Sequence, residues 1–210
     1  FKTKNVTTPY DVLALLKESS IKDGNKEKSL SALRKLAAQE NEDRSIFNIL
    51  FPVRRSVYNG YAITSVNKVR QMILYFLGHM NVGYKTALNK LMFYADFLMY
   101  KEHGVGISGL SYSALPYGNV PNNFKVLYGI FDEVDEVDAE KPFFKPLAIC
   151  DLSAFNENEI RVLECVAEKM AKQSSVVLSE TNHAEDAWLK YRHDTKLLVP
   201  FSEAFNLKAL

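Results

Sequence analysis

The chain has 210 residues, 47% hydrophobic and 24% charged, with a net charge of +1. That length buries a substantial core, in one domain or in a large domain with a smaller companion, and the near-neutral balance excludes a global field of either sign. No apolar run approaches the roughly 20 residues of a membrane-spanning helix. Cys150 and Cys165 are too few for a disulfide scaffold, which predicts two buried thiols in a cytoplasmic protein. The chain opens on Phe1, with no charged leader and apolar stretch behind it, and reads as a fragment of a longer protein.

Charge is distributed unevenly: residues 1–60 carry 11 Lys or Arg against 7 Asp or Glu, and the remainder 15 against 18. Thr8-Pro9-Tyr10-Asp11 predicts a helix start, a Thr cap followed by Pro at the first helical position, with the helix running to Ser19. A second helix follows Asn25, with Leu30, Leu33, Leu36 and Ala37 on one face, and a third around Ser45–Phe51 stops at Pro52. Three short helices suit a degenerate helix-turn-helix or a simple cap on a core. Pro52–Thr64 reads as a loop or short hairpin at a domain junction.

From Ser65 the helical pattern resumes with Val66, Val69, Ile73, Phe76 and Leu77. Tyr84–His103 repeats it with Leu88, Leu91, Met92, Ala95, Leu98 and Met99, and Gly104 is a left-handed stop; these two helices are the expected centre of the core. Ser111–Leu115 predicts a strand before the Pro116–Gly118 turn, and Pro121 a helix with Phe124, Leu127, Tyr128 and Phe131 on one side. Residues 133–149 predict two short strands about the polar 138–141 turn, with Glu133, Asp135, Glu136 and Asp138 on a solvated edge. Asn156 and Glu159 form a capping box ahead of a helix whose inward stripe is Ile160, Leu163, Ala167 and Met170. Two shorter helices follow, the second from Asn182 and carrying Trp188. The predicted class is mainly α with a small antiparallel β-sheet.

Three blocks carry a resemblance. Leu88–Asp96 (LNKLMFYAD), Gly109–Pro121 (GLSYSALPYGNVP) and Leu178–Trp188 (LSETNHAEDAW) together resemble the Panacea (SocA-like) antitoxin domain over residues 66–190. Asn119 stands where the family usually has Pro, and Asn182 where it usually has Ser or Thr. The resemblance implies a cytoplasmic, non-enzymatic antitoxin of a type II toxin-antitoxin system, which binds directly a cognate toxin encoded nearby. It also allows operator DNA as a partner of a segment 1–60, and a homodimer. The expected organisation is 1–60, the domain at 66–190, and a tail at 191–210 packed on it.

The residues themselves leave alternatives. Tyr94 and Asp96 flank the core face Leu91, Ala95 and Leu98, so Asp96 either pairs internally, with an Arg or backbone amides, or lines a partner groove. His183, Glu185 and Asp186 either form a helix start capped by Asn182 or belong to a binding surface. The expected toxin surface joins Tyr94, Asp96, Tyr112, Tyr117, Asn119, His183, Glu185 and Trp188 in a groove between the three blocks. A DNA-binding regulator would use Lys28, Arg34, Lys35, Arg54 and Arg55 on phosphates. A metal-dependent hydrolase would have to gather His183, Glu185, Asp186, His193 and Asp194, yet no HExxH, GxSxG or phosphate-binding glycine loop occurs; no cofactor or metal is expected.

Overall fold

Ser65 is extended and accepts the Lys68 amide on its side chain, so that α1 starts at the next residue and runs Val66–His79. Val69, Ile73, Phe76 and Leu77 turn inward, as their spacing predicts. This computed structural model describes residues 54–138 and 140–210, together with Ser31 and Phe51. The three helices expected before Pro52, with Lys28, Arg34 and Lys35, lie outside the described residues apart from Ser31 and Phe51. Leu50–Leu210 is one compact unit.

The short strand β1 (Gly83–Tyr84) leads directly into α2 (Lys85–His103), which Gly104 ends at φ 72°. Every residue of α2 from Ala87 to Met99 is buried. An amphipathic helix exposes a polar face, whereas this one is enclosed, so Asn89, Lys90 and Asp96 need partners in the interior. β2 (Tyr112–Leu115) and β3 (Gly118–Pro121) form an antiparallel hairpin, Tyr112 opposite Pro121 and Leu115 opposite Gly118. Pro121 closes β3 instead of opening a long helix. The chain then makes only the single turn α3 (Phe124–Leu127) and a 3-10 turn, Tyr128–Ile130, since Gly129 disfavours continuation by about 1 kcal/mol.

β4 (Val134–Val137) and β5 (Phe143–Pro146) pair antiparallel about the polar turn, and β1 adds to β5 to give the order β1-β5-β4. Asp135 and Glu136 face solvent on the edge strand β4, where charge discourages pairing with another chain. α4 (Glu157–Met170) opens with the expected capping box, worth about 1 kcal/mol. Its inward stripe is Val162, Leu163, Val166, Ala167 and Met170, with Ile160 only half-buried. The buried Glu159 meets Lys68 of α1 at 2.5 Å and so ties the two helices together.

α5 (Ser175–His183) and α6 (Asp186–Leu189) follow. The helix expected to start at Asn182 starts instead after Glu185, and Asn182 belongs to the last turn of α5. The 3-10 stretch Phe201–Asn206 packs on α2, the Phe201 ring stacked on Phe97 at 4.4 Å. Full burial of that ring contributes about 1.5–3 kcal/mol. The tail also extends the hairpin, Val199 N donating to the Tyr112 carbonyl, and Phe201 N reaches Val57 O of the irregular segment before α1. Gly60 takes φ +61° there, and a Cβ on it would stand 2.7 Å from the Phe201 ring. Cys150 and Cys165 are free and half-buried, not fully buried. Among the described residues no helix is long and apolar enough to cross a membrane.

Candidate partner-binding site

Folding brings the three sequence blocks together. α2 lies against β3 and α5, and α6 packs on both strands of the hairpin. The expected open groove between them is instead a packed seam, because α2 fills the space and its polar groups are bonded inside it. Tyr94, Asp96, Tyr112 and Asn119 are fully buried, and Glu185 nearly so, where a partner docking on the folded surface does not touch them.

Asp96 shows what holds the seam closed. Its Oδ1 accepts the amides of Ile107 and Ser108, both at 2.8 Å, and its Oδ2 meets the Ser108 hydroxyl and, at 2.6 Å, that of Tyr112. Burial pushes this carboxyl above the ordinary carboxylate range, against the pull of the Ser108 and Tyr112 hydrogen bonds. Of the two readings of Asp96, the geometry is that of internal amide binding: it straps the loop after α2 back onto the helix. Tyr94 does a similar task, its hydroxyl 3.3 Å from Glu185 Oε1. Glu185 then accepts the backbone amides of Lys208, at 2.9 Å, and Ala209, at 3.0 Å, so a side chain expected on a binding surface anchors the tail.

Sequence reasoning did not single out Lys90 or the seam role of Asn182. The Lys90 ammonium, wholly buried, donates to the Asn119 carbonyl at 3.2 Å, while Asn182 Oδ1 accepts the Asn119 amide at 2.6 Å. Burial pulls the Lys90 ammonium down to about 7. Gly118, at φ +109°, lets the hairpin turn close on this pair: a Cβ there would be 2.5 Å from both Asn182 Oδ1 and Lys90 Cε. The available signal was a lysine inside an apolar helical run, with Ala87, Phe93 and Tyr94 at neighbouring helical positions. Among the described residues, neither polar atom of the Asn119 side chain has a hydrogen-bond partner.

What reaches solvent is the rim of the seam. Tyr117, at the tip of the hairpin, is 72% exposed. Trp188 Nε1 donates to Leu115 O at 2.8 Å, and the half-buried His183 stacks on the Trp188 ring at 3.9 Å, with the exposed Arg192 over the ring at 4.8 Å. Burial lowers the His183 imidazole, and the hydrogen bond that its ring N–H donates to the Pro116 carbonyl opposes that shift. Tyr117, Arg192 and the half-buried His183 thus make an aromatic and cationic edge that a partner can reach, with Trp188, 8% exposed, showing only a margin between them. Arg54 and Arg55 are exposed. Asp186, which a metal site would have required, binds Lys208 at 2.6 Å, and among the described residues no three His, Cys, Asp or Glu gather to hold a metal ion.

Residues 88–189 match the family model described as Antitoxin SocA-like, Panacea domain. Over those residues the chain is similar to the Panacea domain. No curated protein and no solved structure matches it. The Panacea match takes in α2 from Leu88, the hairpin and α5–α6, hence most of the seam. It leaves out α1 and the Phe201 tail, although the compact unit includes both.

Proposed function

We propose that this protein is an antitoxin that acts in the cytoplasm by binding a cognate toxin directly, without catalysis of its own. The Panacea match carries the reading. It is supported by the fate of the polar motif residues: Asp96, Tyr112 and Glu185 are engaged in internal hydrogen bonds and leave no arrangement of free nucleophile and base. In this reading Tyr94, Asp96, Tyr112, Asn119 and Glu185 act on the toxin by holding the hairpin tip in place, while Tyr117, His183 and the Trp188 edge touch it. Tyr and Trp supply large contact areas with a polar tip, and truncation of such anchors commonly costs about 2 kcal/mol of binding.

The test is co-expression with the product of each adjoining gene, followed by growth rescue and co-purification. Rescue together with a stable complex is expected, and absence of both removes the reading. Within the complex, Tyr117→Ala should weaken binding while leaving the unfolding midpoint unchanged, because the ring stands in solvent. Unaltered affinity would remove Tyr117 from the contact surface.

A further inference from the structure

A second surface on the same compact unit has the features of a protein docking groove. From the last residue of β5 the chain continues as Pro146-Leu147-Ala148-Ile149, all exposed, with Leu147 at 65% and Ile149 at 96%. The strap is pinned at both ends: Leu147 N donates to Glu133 O at 2.8 Å, and Asp151 N to Gln71 Oε1 at 2.7 Å. Between it and α1 lies a cavity of about 490 Å³ lined by Leu74, Tyr75, Gly78, His79 and the strap itself. Gly78 leaves one wall open, for a Cβ there would meet nothing within 4 Å. Contiguous exposed apolar groups on a fixed frame mark interaction sites. Ile149 lines the cavity yet is 96% exposed, so the strap offers an outward apolar surface that a protein partner covers more fully than a small molecule held in the cavity.

Charge indicates which kind of protein. The Tyr75 phenol is pushed up to about 12, first by burial and then by nearby negative charge that includes Glu164 and Glu168, both exposed on α4, and Asp151 stands beside Cys150 at the end of the strap. None of these three carboxylates has an ion-pair partner among the described residues. Glu164 and Glu168 are one helical turn apart and repel each other. Lys145, the nearest base in the sequence before the strap, is turned onto the Phe143 ring at 5.5 Å. An acid-rimmed apolar groove disfavours nucleic acid and anionic lipid, and it complements an apolar segment flanked by Lys or Arg.

We infer that the groove between α1 and the Pro146–Cys150 strap is a second contact surface for the toxin, and that it receives an apolar toxin segment with basic flanks. The inference rests on the antitoxin reading. It is tested with the full chain and the adjoining gene product that the unaltered chain binds, using Ile149→Arg and the pair Glu164→Gln with Glu168→Gln. Ile149→Arg places the new charge in solvent and should leave the unfolding midpoint unchanged while weakening toxin binding at least tenfold. The glutamine pair should weaken binding at low salt and flatten its dependence on salt. Unchanged affinity in both variants, with the toxin still bound, overturns the groove and leaves the antitoxin reading intact. Failure of the unaltered chain to bind any adjoining product removes both. A toxin-free dimer that Ile149→Arg dissociates assigns the groove to a second copy of the chain and overturns the toxin assignment.

Discussion

Replacing Lys90 by Met separates a buried charge from the packing around it. The folded chain holds this ammonium at about 7 against an ordinary 10.5, through burial. Below pH 7 both folded and unfolded chains carry the proton, so the whole desolvation cost opposes folding. Between pH 7 and 10.5 the unfolded chain keeps a proton that the folded chain has lost, and stability rises with pH. At about 1.4 kcal/mol per unit, the unaltered protein should gain about 2 kcal/mol between pH 7 and pH 9 that Lys90→Met does not. The hydrogen bond to the Asn119 carbonyl, worth about 1 kcal/mol, is lost at both pH values and does not affect this difference. His183, held below its ordinary value by burial, is present in both proteins. Urea unfolding of both proteins at pH 7, 8 and 9 measures the effect. The variant should be the more stable at pH 7, by a margin that narrows as pH rises. Parallel curves would refute the argument, since they would mean that Lys90 carries the same charge in the folded and unfolded chains throughout.

Two further perturbations probe the seam. Asp96→Asn presents an amide donor to the hydroxyls of Ser108 and Tyr112, which now donate to the carboxylate, and should cost about 1–3 kcal/mol in thermal unfolding; an unchanged midpoint would mean that the strap does not depend on the carboxylate. Gly118→Ala should cost well over the roughly 1 kcal/mol expected for Gly104→Ala. Both glycines have positive φ, but only the first has side chains within 3 Å of the added Cβ; equal losses in chemical denaturation would contradict that packing.

Local signals placed several element boundaries, though not those at Pro121 and Asn182. Apolar spacing and Gly104 set the span of α2, Asn156 and Glu159 set the start of α4, and the alternation after residue 133 located β4 and β5. Surroundings were less legible. The groups that enclose Asp96 and Tyr94 come from residues 107, 108, 112 and 185, and no periodicity along α2 announces them. Asn182 shows the same limit: Asn followed three residues later by Glu reads locally as a helix start, yet its side-chain oxygen holds Asn119 across the seam while Glu185 holds the tail. The exposure of Ile149 was likewise hidden, because residues 133–149 read as two short strands, whereas the second ends at Pro146 and Ile149 lies beyond it.

Titration of the purified toxin with this purified chain, in the absence of any other protein, tests the central claim most directly. Direct neutralisation predicts that toxin activity falls in proportion to the complex formed and vanishes at saturation. Full toxin activity within a saturated complex would contradict it, as would an absence of complex under conditions where the chain protects cells.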